Sequence, residues 1–473
     1  MNRYHGSGDG CRGTGLKVQG SKPRVRWVLF HILSALLCLL PYHALAEERT
    51  VTLEDAYRMS AGEHEAIKIA GESLFQAKTN LGKATSLLMP TLTADGNLRK
   101  YNELKRAGSF LIQPNDSSSF ELRLTQPIYS GGRDWSARRQ AKMTVEERRL
   151  WFESTREVVI LETTRAYFGV LKAEKGLEIQ EAALRRAKER SKVASSRFKV
   201  GDVTKSVVLR AEAESAGAEA ELTKAARGLT NAKDALKRFI GVKDDIKVVE
   251  PPLKSAHKED IEDLINMAFE GRRDYKRSTI DQNIALEGIR YAKGNFLPTL
   301  KLEGVYSWRD QEPTTTFFQE ETVYGSLVLT YPLFEGGLRR AELREARSRS
   351  REAELRRIGL KRDIEIEVRS AFNNMETLSA VIESYRKQVA FAEENYNMVF
   401  KQFKYGIATN VDVIDADTTL ISAQSGLFNA KYDLQVAIME LKYSTGTLLD
   451  EMEGVFVGGK NVSSAKRALE IED

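Results

Sequence analysis

Phe403-Lys404-Tyr405-Gly406-Ile407-Ala408-Thr409-Asn410-Val411-Asp412-Val413-Ile414-Asp415 lies between two long stretches of helical periodicity, so it reads as the turn of a helical hairpin. Gly406 suits a left-handed helix stop, which other residues adopt only at a steric cost. Thr409, with Asp412 three positions on, has the spacing of a capping box. Asp412 and Asp415 lie one turn apart and share a face. A near copy, Phe198-Lys199-Val200-Gly201-Asp202-Val203-Thr204, precedes another helical pattern. The hairpin therefore occurs twice.

The doubling extends outward. Gln126-Pro127-Ile128-Tyr129-Ser130-Gly131-Gly132 matches Tyr331-Pro332-Leu333-Phe334-Glu335-Gly336-Gly337, and Leu88-Met89-Pro90-Thr91-Leu92 matches Phe296-Leu297-Pro298-Thr299-Leu300. A unit of this length is a duplicated domain rather than a solenoid repeat. The first copy spans 47–250: a helix from about 53 to 88, a β-hairpin over about 90–130, a long helix over about 133–199, the turn at Gly201 and a helix over about 203–240. The second spans 251–449, with a β-hairpin over about 298–334, a long helix over about 338–404, the turn at Gly406 and a helix over about 409–445. Pro90, Pro127, Pro298 and Pro332 mark the helix–strand junctions, because proline excludes the helical conformation from the residue before it.

The helical stretches carry seams stepping by three and four. Ala211, Ser215, Ala218, Leu222, Ala225, Leu229, Ala232 and Leu236 match Ala416, Leu420, Ala423, Leu427, Ala430, Leu434, Ala437 and Leu441 one for one. Small and large residues alternating along a seam let helices approach closely and interlock. The strands have period two instead. Leu92, Ala94 and Leu98 share one face, as do Phe120, Leu122 and Leu124; Leu302, Tyr306, Trp308, Val323, Leu327 and Leu329 repeat the pattern. Each strand runs about ten residues with one apolar and one polar face, the signature of outer-membrane barrel strands. Four such strands have no second sheet to cover them, and lipid resolves the exposed apolar face better than a hidden soluble core.

Residues 1–46 read as a secretory signal: a basic lead, an apolar run from Trp27 to Leu40, and the small-residue site Ala44-Leu45-Ala46. That segment holds six of the 72 basic residues and one of the 67 acidic ones, which leaves 66 of each beyond it. A nucleic-acid-binding body is not supported by so even a balance. Both cysteines, Cys11 and Cys38, also fall in the segment, so the remainder has no thiol chemistry. Beyond it only His64 and His257 remain, each expected at the surface, with no phosphate loop and no metal-ligand cluster; the chain reads as a non-enzyme without a cofactor. The tail, 450–473, is short and polar.

Four strands cannot close a barrel, since about eight are needed. Two copies would supply eight strands around a filled interior, three would supply twelve around a lumen, and a pore-less periplasmic coiled-coil scaffold is the alternative that dispenses with a barrel. The duplicated Pro-Thr-Leu strand entries, the Pro-x-x-x-Gly-Gly exits and the Phe-Lys-x-Gly turns, with Val411-Asp412-Val413-Ile414-Asp415-Ala416 as the most specific piece, resemble the TolC-type outer-membrane efflux protein family. The resemblance implies a mixed α and β membrane protein. In it, α-helical coiled-coil hairpins form a periplasmic tunnel, and four strands per chain contribute to a homotrimeric twelve-stranded barrel in outer-membrane lipid. It also implies a periplasmic adaptor and an inner-membrane transporter as partners, for efflux or type I secretion. Asp412 and Asp415 match the family's acidic positions at the periplasmic mouth and are the candidate pore gate. Lys199, Val200, Gly201, Lys404, Tyr405 and Gly406 match its adaptor-docking turns. Ala408 and Phe403 stand where some members carry a basic residue and a tyrosine that lock the mouth, so closure is expected to rest on packing.

Overall fold

The computed structural model describes residues 49–255, 259–450 and 452; the expected signal, most of the polar tail and His257 lie outside the described residues. In order, the elements are β1 (Arg49–Val51), α1 (Leu53–Glu63), α2 (Glu65–Ser86), β2 (Thr91–Lys100), β3 (Lys105–Ala107), β4 (Phe110–Gln113), β5 (Asp116–Tyr129), α3 (Arg133–Lys199) and α4 (Lys205–Ile240). The second half continues with β6 (Ile246–Val248), α5 (Ile261–Gly271), α6 (Arg273–Gly294), β7 (Thr299–Glu312), β8 (Glu321–Thr330), α7 (Leu338–Lys404) and α8 (Asn410–Thr445).

The two 67-residue helices, α3 and α7, set the length scale at roughly 100 Å each. Shorter helices stack beside them in tandem. Next to the sheet α2 and α6 pack on α3 and α7, and toward the glycine turns α4 and α8 take their place. Side by side, α2, α3, α6 and α7 follow one another near the sheet, while α4, α3, α8 and α7 do so toward the turns. Ahead of α2 and of α6 the chain breaks. The first helix, expected unbroken, stops at Glu63 and restarts at Glu65, and its counterpart stops at Gly271 and restarts at Arg273. No proline marks these sites. His64 and Arg272 adopt extended backbone instead, each capping one helix and opening the next. His64 is consequently not a plain surface residue: Nδ1 accepts the Ala66 N–H and its ring stacks on Phe239.

The four long strands form one antiparallel sheet in the order β2-β5-β7-β8, so the two copies are joined through β5 and β7. Register aligns Leu92 with Leu124, Leu122 with Tyr306, Phe120 with Trp308, and Leu302 with Leu327, which makes one continuous apolar face. Pro127, expected at the junction, lies inside β5 at a register shift, where its missing N–H is tolerated. A short β3–β4 hairpin stands between β2 and β5, inside the stretch expected as one simple hairpin over about 90–130. Among the described residues no helix is long and apolar enough to cross a membrane.

Candidate functional site

The sheet inverts the polarity of a soluble protein. Its apolar face is bare, with Leu98 86% exposed and Val323, Leu327 and Leu329 similarly open. The polar face is the more covered one, with Glu303 at 7% and Ser307 at 5%. Along it Arg123 reaches Glu121 (2.5 Å) on its own strand and Glu303 (3.1 Å) on the next, and Lys301 closes on Glu303 at 2.6 Å. Burial of apolar area stabilises by roughly 25 cal/mol per Å², so a sheet that exposes this face to water forfeits its main driving force. Facing hydrocarbon, the same side chains cost nothing, and the paired charges require water behind them. That arrangement is a barrel wall.

At the opposite end, both hairpin turns use glycine at φ +78°, Gly201 and Gly406. The two tips lie together. Arg197 on α3 bonds Asp202 of its own turn (2.6 Å) and the Phe403 carbonyl of the other (2.8 Å), with its guanidinium over the Phe403 ring. Lys404 reaches Glu189 across the same contact at 3.0 Å. Val200 and Tyr405 project from the ends, four-fifths exposed, and Ile407 is nearly as open.

Asp412 and Asp415 are both exposed. Asp412 is held in the capping box: its Oδ2 accepts the Thr409 N–H at 2.8 Å and the Thr409 hydroxyl at 2.7 Å. Those two donors hold its carboxyl below the ordinary aspartate range, the side-chain hydroxyl contributing most. It stays ionised. Among the described residues, neither Asp412 nor Asp415 pairs with a cation of its own protomer.

A third aspartate, unmarked in the sequence reading, does what they do not. Asp417 is 4% exposed and lies on α8 against α3. Its Oδ1 accepts Arg186 Nε at 2.6 Å and its Oδ2 accepts Arg190 Nη1 at 2.5 Å. Arg186 also stacks over Tyr396 of α7 at 5.4 Å, so the cluster ties three helices from both hairpins. Burial raises the Tyr396 hydroxyl pKa, with the Asp417 charge adding to it. The hydroxyl and Arg186 Nη2 are buried without a hydrogen-bond partner among the described residues, a standing desolvation cost that separation of the helices would relieve. Packing is therefore not alone in holding the hairpins together, contrary to expectation. The signal available in sequence was weak: an acid on an Ala/Leu seam facing arginines four apart.

A second buried network sits where α5 meets α6. Arg272 bonds Asp274 (2.6 Å), Glu367 (2.5 Å) and the Ser444 carbonyl. Arg273 is shared by Glu157 (2.6 Å), Glu153 and Asp450. Burial pushes the Glu157 carboxyl up to about 7; Arg273 pulls it down, and the charges of Asp274, Asp450 and Glu153 add to the rise. Gly271 and Gly446 approach so closely here that a Cβ on Gly446 would meet the Arg272 nitrogen at 2.6 Å. Among the described residues no cluster could hold a metal ion.

The chain matches the family model described as outer membrane efflux protein twice, over residues 58–242 and 264–447. It is 26% identical to outer membrane protein TolC of Vibrio cholerae over 399 residues, 80% of this chain and 86% of that one. It is 25% identical to the alkaline protease secretion protein AprF of Pseudomonas aeruginosa, covering 74% and 73% of the two chains. The solved CmeC outer membrane channel of Campylobacter jejuni shares the fold at a TM-score of 0.74, 18% identity, and coverage of 89% and 90%.

Proposed function

The chain belongs to the outer membrane efflux protein family and is an outer-membrane channel with a periplasmic helical tunnel, serving efflux or secretion; on that premise we propose how its residues build and close the passage. Three copies associate into a homotrimer, each contributing four strands to a twelve-stranded barrel in outer-membrane lipid. The open ends of the order β2-β5-β7-β8, and the matching open ends α2 and α7 in the helical layer, are where copies meet. The inverted sheet carries this reading, because its bare apolar face has no use in a pore-less scaffold.

The turns at Lys199, Val200, Gly201, Lys404, Tyr405 and Gly406 receive a periplasmic adaptor, which couples the channel to an inner-membrane transporter. Their exposed Val200 and Tyr405 support this role. Asp412 and Asp415 gather negative charge at the periplasmic mouth, where a narrow, low-dielectric constriction amplifies their field. Asp417, clamped by Arg186 and Arg190, keeps the mouth narrow by tying hairpin to hairpin.

The test is reconstitution into planar bilayers. Wild-type protein conducts small, cation-preferring currents; Asp417→Asn raises conductance, and Asp412→Asn with Asp415→Asn weakens cation preference. Recovery in the soluble periplasmic fraction, with no conductance from detergent extracts, contradicts the proposal.

A further inference from the structure

The ends of the strands remote from the helices carry features that the channel reading leaves unused. From the last two residues of β2 and along the β3–β4 hairpin, residues 99–113 hold four cations, Arg99, Lys100, Lys105 and Arg106, against one carboxylate, Glu103. From the end of β7 to the first residue of β8, residues 309–321 hold one cation, Arg309, against Asp310, Glu312, Glu320 and Glu321. The two rims thus carry net charges of +3 and −3. Each also bares aromatic surface: Phe110 is 76% exposed on the hairpin and Phe317 is 95% exposed on the β7–β8 loop.

Within a protomer the two rims adjoin at their base, across β5 and β7, where the Asn115 N–H donates to the Glu312 carbonyl at 2.8 Å, while the tips at Phe110 and Phe317 stay bare. β2 and β8 are the sheet's two unpaired edges, ten residues each. The strands alternate in direction throughout, so β8 of one copy beside β2 of another continues the antiparallel order. Side-by-side copies bring a basic hairpin to an acidic loop, and Phe110 and Ile112 to Phe317. Unpaired edges and exposed apolar tips otherwise invite promiscuous association. Complementary charge also suppresses wrong partners and fixes register.

We propose that the β3–β4 hairpin clasps the β7–β8 loop of a second copy of this chain at the outer rim, Lys105 and Arg106 against Glu320 and Glu321, with Phe110 over Phe317. The clasp rests on the oligomeric reading above. It locks the order of the copies on the outside, far from the Asp417 cluster that ties the helices at the other end. Lipopolysaccharide phosphates would suit the four cations but not the acidic loop beside them, so the second copy is the better occupant.

The sequence beyond Cys38 contains no cysteine, which makes cross-linking clean. In the full chain, Arg106→Cys combined with Glu320→Cys should give, on mild oxidation, a ladder of disulfide-linked copies that collapses with reductant, while neither single variant does. Lys105→Glu with Arg106→Glu should lower the temperature at which the detergent-stable oligomer dissociates, and Glu320→Lys with Glu321→Lys in the same chain should restore it. An intact oligomer by native mass spectrometry, with no cross-link and no restoration, overturns the clasp alone. Loss of co-purifying lipopolysaccharide in the reversed variant, without restoration by the swap, also overturns it and assigns the cations to lipid. A wild-type protein that is monomeric in the same spectrometer overturns the oligomeric reading and the clasp with it.

Discussion

The α4 and α8 helices derive from one duplicated plan, and their fates differ. Both are 36 residues long and carry the same Ala/Leu seam. In α8 that seam is buried from Ala416 to Leu441, and the far side is buried too, through Tyr432, Gln435, Ile438 and Met439. In α4 only Val208, Ala211, Leu236 and Ile240 are fully covered. The cause is position: α8 lies between α7 and α3, whereas α4 leans on α3, with α1 meeting its C-terminal end. A repeated sequence thus makes one helix into the keystone between hairpins and leaves the other with a free face. Chemistry follows placement. The buried Asp417 sits on α8, and only the α8 start has its capping box, Thr204 at the α4 start making no side-chain cap bond.

The sharpest way to break this asymmetry is at the clamp. Asp417→Ala leaves Arg190 buried without a counter-charge and should cost about 3–5 kcal/mol, read as a lowered urea midpoint of the helical circular dichroism signal. Asp202→Ala, on the exposed carboxylate at the copy-one turn, should cost no more than about 1 kcal/mol. Next comes the seam itself. Leu434→Ala on α8 should cost about 2–5 kcal/mol, and its counterpart Leu229→Ala on half-covered α4 only about 1 kcal/mol by the same measurement. Equal losses would show that α4 is covered as fully as α8 in the assembled protein.

The joints differ in the same way. His64 stacks on Phe239 in the first copy, while Arg272 and Arg273 gather carboxylates in the second. Glu157 is raised by burial to about 7 from a normal carboxyl near 4.5, so the folded protein holds its proton more tightly than the unfolded chain. Stability should therefore fall as pH rises through the window from about 4.5 to 7, by on the order of 2–3 kcal/mol from this group. Glu157→Gln should flatten that slope in thermal melts across the window, and an unchanged slope would clear Glu157. The smallest effect is at the cap. Thr409→Ala should cost about 1 kcal/mol, and Thr204→Ala less than about 0.5 kcal/mol.

Much of this architecture was legible because its periods are long and its punctuation strong. Sixty-seven residues without proline and with seams of three and four spell out each long rod, and the Gly201 and Gly406 turns end them. The alternation from Leu92 to Leu98 and from Val323 to Leu329 reveals strands and their apolar face. The breaks at His64 and Arg272 were not legible, since neither residue disfavours helix; the groups that hold them there, Phe239 for one and Glu367 with the Ser444 carbonyl for the other, lie far along the chain. Nor was Asp417, because an aspartate two positions beyond Asp415 looks like another solvated acid until α3 is placed beside it. The β3–β4 hairpin escaped notice for a different reason, its strands being too short to show a period.

In the proposed channel the sheet turns its apolar face to lipid and its charged face to water. Adjacent residues on β8 test it directly: Leu327 belongs to the first face and Ser326, opposite Glu303, to the second. In outer-membrane vesicles, Ser326→Cys should react with a small water-soluble maleimide, while Leu327→Cys should resist it and yield only to a membrane-partitioning reagent. The reverse pattern, or equal reaction of both with the water-soluble reagent, would contradict that orientation of the sheet.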